Sequence, residues 1–231
     1  MLRDILVPED EARRLFADQR VDENVIMRAL AREIRGDGPH LIYLPERPFS
    51  LDGFVKDVQA VMKKEGRCVV AVSEGIRDAQ GELFAKKFAG GERDSHGNLQ
   101  LSGTGALGDF LAKHLKAEAG VSRVRADTFG YLQRSFPGIA SKTDQKEARA
   151  AGAAAVKAAR KGALTKGTIA IVRKKGAKYA VTFEAQPVAN AAKYTRSVPD
   201  AFIAPNGHDV TKAFLAYARP IVGDLPHSEL L

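Results

Sequence analysis

The sequence predicts an α/β fold in which helices flank a parallel sheet. Two short apolar segments, residues 41–45 and 68–72, are separated by an amphipathic helix, and the connections between them are short. A strand, a helix and a second strand in this order form a βαβ unit. The second segment lacks the polar alternation of a half-exposed strand. It therefore has the pattern of a strand covered on both faces, as in parallel sheets.

Local signals predict the ends of these elements. Apolar residues at loosely helical spacing predict a helix over residues 8–34, which the Gly and Pro residues at 36–39 end. Ser50 is placed to cap the next helix, whose apolar side chains recur at positions 54, 55, 58, 61 and 62. Gly66 ends that helix. A polar loop, rich in Gly and charge, is predicted from residue 76 to about residue 100.

The next stretch is predicted to contain two helices with a strand between them. Residues 104–117 carry leucines on one side of a helix. The alternation of Arg with small residues over Val121–Asp127 predicts a partly exposed strand. Asp144 and Glu147 have the spacing of a capping box, which would open an Ala-rich helix ending at Gly162.

A β-hairpin and a final helix complete the predicted elements. Thr168–Val172 and Tyr179–Phe183 have strand-like composition and flank the turn residues Lys174–Ala177. The remainder of the chain is loop-rich, and a last helix is predicted near residues 209–218.

Three glycines at positions 103, 105 and 108 match the dinucleotide-binding pattern G-x-G-x-x-G at the start of a helix. Dinucleotide binding also requires a preceding strand and an acidic residue about 20 positions further on. The sequence shows neither clearly. We therefore expect these glycines to allow a loop to approach the helix closely.

The composition excludes several classes of protein. The chain has 231 residues, 45% of them hydrophobic, which is enough to bury a core and is unlike a disordered chain. The single Cys68 excludes a disulfide framework and a multi-thiolate zinc site, and the five histidines show no metal-ligand spacing. No segment approaches the roughly 20 apolar residues of a membrane span, and the first residues lack an apolar signal core. We therefore expect a cytoplasmic protein without a metal site of its own.

The net charge of +8 is concentrated in one stretch. Residues 121–180 contain fourteen Lys and Arg against three acidic residues, a charge of +11, and the rest of the chain carries −3. A solvated helix face would explain such a stretch, and so would an anionic ligand, either nucleic acid or a phosphorylated small molecule. Aromatic residues are sparse there, so nucleic acid is ranked last.

Two places carry side chains suited to a ligand. Glu74 directly follows the apolar strand, at the end where open α/β sheets bind ligands, and its alternative role is that of an exposed loop carboxylate. Arg125 lies before Gly130, after which Tyr131 and Arg134 fall on one side of a helical turn. Guanidinium groups suit phosphate, and a phenol hydrogen-bonds a sugar or phosphate oxygen. The alternative for this pair is a surface Arg beside a half-buried Tyr.

Four motifs together resemble the phosphofructokinase family in their order and spacing. They are Leu41–Glu46, Ser73–Gly75, Arg125–Ser135 and Ser141–Ala148. Residue 131 is Tyr, where ATP-dependent bacterial members usually carry His, so the chain is similar to the pyrophosphate-dependent branch. The resemblance extends over roughly residues 36–225.

The resemblance implies a fold, a reaction and site residues. The fold would be a Rossmann-like, three-layer parallel sheet flanked by helices, with a small β-hairpin and a loop-rich C-terminal part. The reaction would convert fructose 6-phosphate and diphosphate to fructose 1,6-bisphosphate and phosphate. Glu74 would bind sugar hydroxyls, Tyr131 and Arg134 would bind the 6-phosphate, and Arg125 would reach it from a neighbouring subunit. Family members are dimers or tetramers.

The chain departs from the family pattern in what it lacks. We find no glycine-rich donor-phosphate loop, no aspartates for Mg²⁺ and no catalytic Asp, so we expect the Mg²⁺ ligands and the catalytic residues on a donor lobe outside this sequence. The predicted organisation is an N-terminal helical segment at 1–35, a fructose-phosphate-binding lobe at 36–225 and a tail at 226–231. This is incomplete relative to the two-lobed family fold.

Two functional interpretations remain open from the sequence. The chain is expected to act as the acceptor-side half or subunit of a pyrophosphate-dependent enzyme, as a homo-oligomer or with a donor-lobe subunit. The alternative is a non-catalytic regulatory subunit that binds a sugar phosphate.

Overall fold

The computed structural model describes residues 39–87, 106–128, 140–162, 167–176, 178–191 and 197–223. They belong to two compact units. The βαβ unit contains the described residues of 39–128 together with 199–215, and the hairpin unit contains those of 140–198 together with 216–223. The helix predicted over residues 8–34 lies outside the described residues. The single lobe predicted over residues 36–225 stays a prediction.

The βαβ unit opens with the predicted strand, helix and strand. Strand β1 (Leu41–Tyr43) and strand β2 (Val70–Val72) are parallel neighbours, with Leu41 opposite Val70, and helix α1 (Leu51–Glu65) connects them. The Ser50 Oγ accepts a hydrogen bond from the Gly53 N–H at 3.2 Å, as expected for a cap. Gly66 ends α1 in the left-handed conformation, with φ of 71°. The predicted α/β class, its cap and its terminator are confirmed here.

Beyond their ladder the two strands turn and then pair again. Pro48 forms a parallel bridge with Arg77, and the Phe49 N–H donates to the Arg77 carbonyl at 2.7 Å. A 3₁₀ helix at Phe84–Lys87 follows. The other edge of β1 is covered too, because the Ile42 N–H donates to the carbonyl of His208 at 2.8 Å. The two chain segments therefore pair twice, once as β1 and β2 and again at Pro48 and Arg77. The turns 45–47 and 73–75 lie between these two regions of pairing.

The core of the βαβ unit is formed by α1, helix α2 (Ala106–Glu118) and the strand faces between them. Its buried members are Leu41, Tyr43, Phe49, Phe54, Val55, Val58, Ile76, Phe84, Leu107, Leu111 and Leu115. The leucines of α2 recur every four residues, so they form one apolar stripe. This confirms the helix predicted near 104–117.

The strand predicted over Val121–Asp127 is wrong. The structure describes residues 121–128 as irregular backbone that pairs with neither β1 nor β2. Val124 packs against the core, whereas the residues from Arg125 to Thr128 are exposed. Alternation of one apolar residue with exposed polar ones needs a partner strand to become a ladder, and the described residues supply none.

In the hairpin unit, helix α3 covers Lys142–Arg160. The cap is Ser141, whose Oγ accepts from the Asp144 N–H at 3.1 Å, and not Asp144 as the capping-box prediction had it. The Ser141 hydroxyl also donates to the Ile221 carbonyl, so a contact distant in sequence favours this start. The predicted end is confirmed, because Gly162 follows with φ of 63°.

The predicted hairpin is confirmed, although its second strand begins at Val181 and not at Tyr179, and both strands extend further than expected. Strands β3 (Gly167–Arg173) and β4 (Val181–Pro187) are antiparallel, with Ile169 opposite Ala185. A short helix, α4 (Val188–Ala191), continues directly from β4. The final helix, α5 (Lys212–Val222), begins after Thr211 and ends later than predicted. Its first residues belong to the βαβ unit and those from Ala216 to the hairpin unit.

Candidate functional site

Glu74 lies in a tight turn directly after β2. The Ser73 N–H donates to the Tyr43 carbonyl at 3.2 Å, which continues the β1–β2 ladder up to the turn. The Ile76 N–H donates to the Ser73 carbonyl at 3.3 Å and closes the turn. Ile76 is fully buried, whereas Glu74 is half-buried. Glu74 therefore projects from a turn that is anchored on both sides, at the carboxyl end of a parallel pair, as the sequence predicts.

The turn of Glu74 touches the turn that follows β1. A Cβ built on Gly75 would lie 3.3 Å from Cγ of Pro45 and 3.5 Å from Oγ of Ser73. Glycine thus allows the two turns to approach each other closely. Because Glu46 follows Pro45 directly, carboxylates are carried by both of the neighbouring turns, at the end of the sheet where α/β proteins bind ligands.

Arg125 lies in the same unit as Glu74, in the irregular segment 121–128, and its side chain is exposed. The segment lies close to α2, since a Cβ built on Gly108 would approach the Ala126 Cβ to 3.1 Å. Gly108 therefore allows a loop to approach the helix, which confirms the expectation for this glycine. Tyr131 and Arg134 lie outside the described residues, so their predicted binding of the 6-phosphate stays a prediction.

Sequence reasoning missed a polar cluster in the βαβ unit. The Tyr43 hydroxyl donates to Oδ2 of Asp57 at 2.8 Å, and Nε2 of His208 lies 3.8 Å from Oδ1 of the same carboxylate. Burial, together with the hydrogen bond to Asp57, raises the pKa of Tyr43 well above its ordinary value. Tyr43 is therefore a neutral donor at physiological pH. Only the strand-end position of Tyr43 was a signal in the sequence, since Asp57 and His208 are brought together by the fold.

The thiol of Cys68 lies in an environment that disfavours the thiolate. It is half-buried beside the core, and burial raises the pKa of Cys68 to about 11. A thiol of this kind is protonated at neutral pH and is a poor nucleophile or metal ligand. Among the residues that the structure describes, no group of three or more His, Cys, Asp and Glu is arranged to hold a metal ion.

One cation of the basic stretch is held by aromatic rings. The Arg173 guanidinium lies 4.9 Å from the ring centre of Tyr179 and 5.2 Å from that of Tyr217, and it donates to the Tyr217 carbonyl at 2.8 Å. Burial and the carboxylate of Glu147 raise the pKa of Tyr179. Arg173 is thus part of the packing of the hairpin unit. Elsewhere in the stretch, α3 has no buried residue, which fits a solvated helix face.

Within the described ranges, no helix combines the length and the apolar character that crossing a membrane would take.

The chain is similar to phosphofructokinases of known name. The family model for phosphofructokinase matches residues 26–159, more than half of the chain. Over 196 residues the chain is 54% identical to the pyrophosphate–fructose 6-phosphate 1-phosphotransferase of Rhodospirillum rubrum, a match that covers 84% of this chain and 48% of that protein. It is 34% identical over 228 residues to the protein of the same name from Xanthomonas campestris, covering 96% and 53%.

A solved structure agrees with these sequence matches. The pyrophosphate-dependent phosphofructokinase of Marinobacter aquaeolei superposes with a TM-score of 0.65 at 28% identity, covering 87% of this chain and 45% of that one. The chain spans about half the length of the curated relatives it matches. Since the family model covers most of the βαβ unit and nearly all of α3, the chain belongs to the phosphofructokinase family.

Proposed function

We propose that this chain carries the fructose 6-phosphate side of a pyrophosphate-dependent 6-phosphofructokinase. The complete reaction would convert fructose 6-phosphate and diphosphate to fructose 1,6-bisphosphate and phosphate. The observation that carries the proposal is Glu74, half-buried at the carboxyl end of the parallel pair in a chain 54% identical to the Rhodospirillum rubrum enzyme. Its relatives' names supply the substrates proposed for this chain.

The proposed binding roles follow from the chemistry of each side chain. The carboxylate of Glu74 would accept hydrogen bonds from sugar hydroxyls. The guanidinium of Arg134 and the phenol of Tyr131 would hold the 6-phosphate, since an Arg fork matches phosphate oxygens in pairs. The exposed Arg125 would reach the phosphate of a neighbouring subunit. That role requires a homo-oligomer or a complex with a donor-half subunit, in the cytoplasm where the sugar phosphate occurs.

The donor side of the reaction is proposed to lie on residues outside this sequence. Phosphoryl transfer relies on positioning and on neutralising the charge of the donor, which Mg²⁺ supplies in this family. The described residues do not fit a metal ion, because none of their acidic and His side chains forms a ligand group. The contribution proposed for this chain is to bind and orient the acceptor sugar.

Titration calorimetry of the full chain with fructose 6-phosphate tests the acceptor site. We expect weak binding by the wild type and an affinity about 10- to 100-fold lower for Arg134→Ala, because a charge-assisted contact to phosphate is lost. Arg160→Ala, which removes an equal charge at an exposed position of α3, serves as the matched control. Equal affinities of wild type and Arg134→Ala would exclude the proposed role of Arg134.

A coupled assay separates an enzyme subunit from a regulatory one. The donor half of the Rhodospirillum rubrum relative is added to this chain, and diphosphate-dependent phosphorylation of fructose 6-phosphate is followed. Activity that needs both components supports the enzyme. Sugar-phosphate binding without activity in any combination favours the regulatory subunit.

A further inference from the structure

Backbone hydrogen bonds hold the turn that carries Glu74 on both of its sides. On one side, the ladder from β1 reaches Ser73. On the other side, the Ile76 carbonyl accepts from the Phe84 N–H at 2.9 Å, and Arg77 pairs again with the chain that follows β1. The backbone is therefore held by hydrogen bonds both before and after Glu74.

Inside the turn, two contacts determine the course of the backbone at Glu74. The Ser73 Oγ accepts a hydrogen bond from the Gly75 N–H at 3.2 Å, so the hydroxyl bridges the residues on either side of Glu74. Gly75 in turn lies against the Pro45 ring, where an added Cβ would come within 3.3 Å. Both contacts act on the peptide groups flanking Glu74 and therefore on the direction in which its carboxylate points.

We propose that Ser73 is a positioning residue for the sugar-binding carboxylate of Glu74, with the Gly75–Pro45 contact as its support. This inference rests on the proposed function. A carboxylate binds sugar hydroxyls well only if it is held within a fraction of an ångström of the productive geometry. Ser73 holds it through the Gly75 peptide, without contacting the substrate itself.

The test compares the affinity of the full chain for fructose 6-phosphate among variants of the turn. Ser73→Ala is expected to lower the affinity about three- to tenfold, the loss that corresponds to one ordinary hydrogen bond. Ser73→Thr keeps the hydroxyl and is expected to restore wild-type affinity. Gly75→Ala pushes against the Pro45 ring and is expected to weaken binding as well, which provides a second variant if Ser73→Ala folds poorly.

A matched control separates positioning from stability. Ser50→Ala removes the same kind of local hydrogen bond, from the Gly53 N–H at 3.2 Å, in the same unit. It is expected to lower the melting temperature and leave the affinity unchanged. If Ser50→Ala weakens binding as much as Ser73→Ala, the effect is one of stability and the inference is overturned.

A double-mutant cycle tests whether Ser73 acts through Glu74. If it does, Ser73→Ala has no further effect in a Glu74→Gln background, because the carboxylate it positions is already gone. Additive losses would overturn the inference. A wild-type chain that does not bind fructose 6-phosphate would instead overturn the proposed function, whereas binding that is insensitive to Ser73→Ala and Gly75→Ala would refute only the role of Ser73.

Discussion

Each of the two units of the chain is stabilised internally by a different kind of contact. In the βαβ unit, the rings of Tyr43, Phe49, Phe54 and Phe84 meet with centres 5.1–5.6 Å apart, and leucines of α2 complete the core. In the hairpin unit, α3 has no buried residue, and the described contacts include the strand ladder, the stacking of Arg173, the Ser141–Ile221 hydrogen bond and a few buried residues such as Ile169, Val198 and Ala218.

The dense packing of the βαβ unit corresponds to the role proposed for Glu74. The βαβ unit carries Glu74, and a carboxylate that must keep one direction requires dense packing behind its turn. The hairpin unit contains α3 and the Lys residues of the hairpin turn, whose cations are exposed.

The largest expected effect tests the packing difference directly. Phe54 is 2% exposed, and Phe54→Ala is expected to lower the free energy of unfolding by about 3–5 kcal/mol, because it leaves a cavity among the aromatic rings. Val156 on α3 is 55% exposed, and Val156→Ala is expected to change that free energy by less than about 0.5 kcal/mol. Urea unfolding of both variants measures the contrast. A cost above 1 kcal/mol for Val156→Ala would show that this face of α3 is covered in solution.

A smaller effect is expected in the pH dependence of the free energy of unfolding, to which one tyrosine of each unit contributes at alkaline pH. The pKa values of Tyr43 and Tyr179 are raised by burial, so each tyrosine keeps its proton in the folded state above the ordinary pKa of about 10. Their stabilisation is complete below that pH. As the pH rises further, the unfolded chain loses these protons first, and stability falls by up to about 1.4 kcal/mol per pH unit for the buried Tyr43 and by less for Tyr179, which solvent partly reaches.

Replacing either tyrosine with Phe should remove part of this dependence. We expect the larger reduction for Tyr43→Phe, because Arg173 partly offsets the raised pKa of Tyr179. The measurement is the free energy of unfolding of Tyr43→Phe and of Tyr179→Phe at several pH values above 9. Each variant serves as the control for the other. An unchanged slope in Tyr43→Phe would contradict the role of its buried hydroxyl.

The smallest effect concerns the stacked cation. Arg173→Met keeps an aliphatic stem and loses the guanidinium, and it is expected to cost about 1 kcal/mol, since two aromatic rings and one carbonyl lose their partner. Lys174→Met, the adjacent exposed position, is the matched control and should be nearly neutral. If both variants cost the same, the rings do not distinguish Arg173 from a surface cation.

Local patterns predicted the elements whose ends are determined by nearby residues. Ser50, Gly66 and the turn of the hairpin are such cases, because caps and turns involve residues a few positions apart. The start of α3 was misplaced because Ser141 and Asp144 both satisfy a capping pattern. Ser141 also contacts Ile221, which comes after the hairpin in the sequence. No local sequence pattern includes a contact between residues so far apart.

In the candidate site too, features set by nearby residues were predicted and features set by distant residues were missed. Glu74 was predicted because its position follows a buried strand, and the end of a strand is visible in the sequence. The exposed segment 121–128 was misassigned because its alternation predicts a ladder only if a partner strand exists. The cluster of Tyr43, Asp57 and His208 was missed because three separate elements contribute to it.

The hydrogen bond from the Ile42 N–H to His208 also bears on how the chain folds during synthesis. Alternate N–H groups of β1 point to opposite edges, so one edge pairs with β2, which follows soon in the sequence, while the other waits for His208, which is synthesised much later. Until then β1 presents an open strand edge to other nascent chains. Closing this edge by His208 is thus a late step, and contacts between residues so far apart in sequence slow folding.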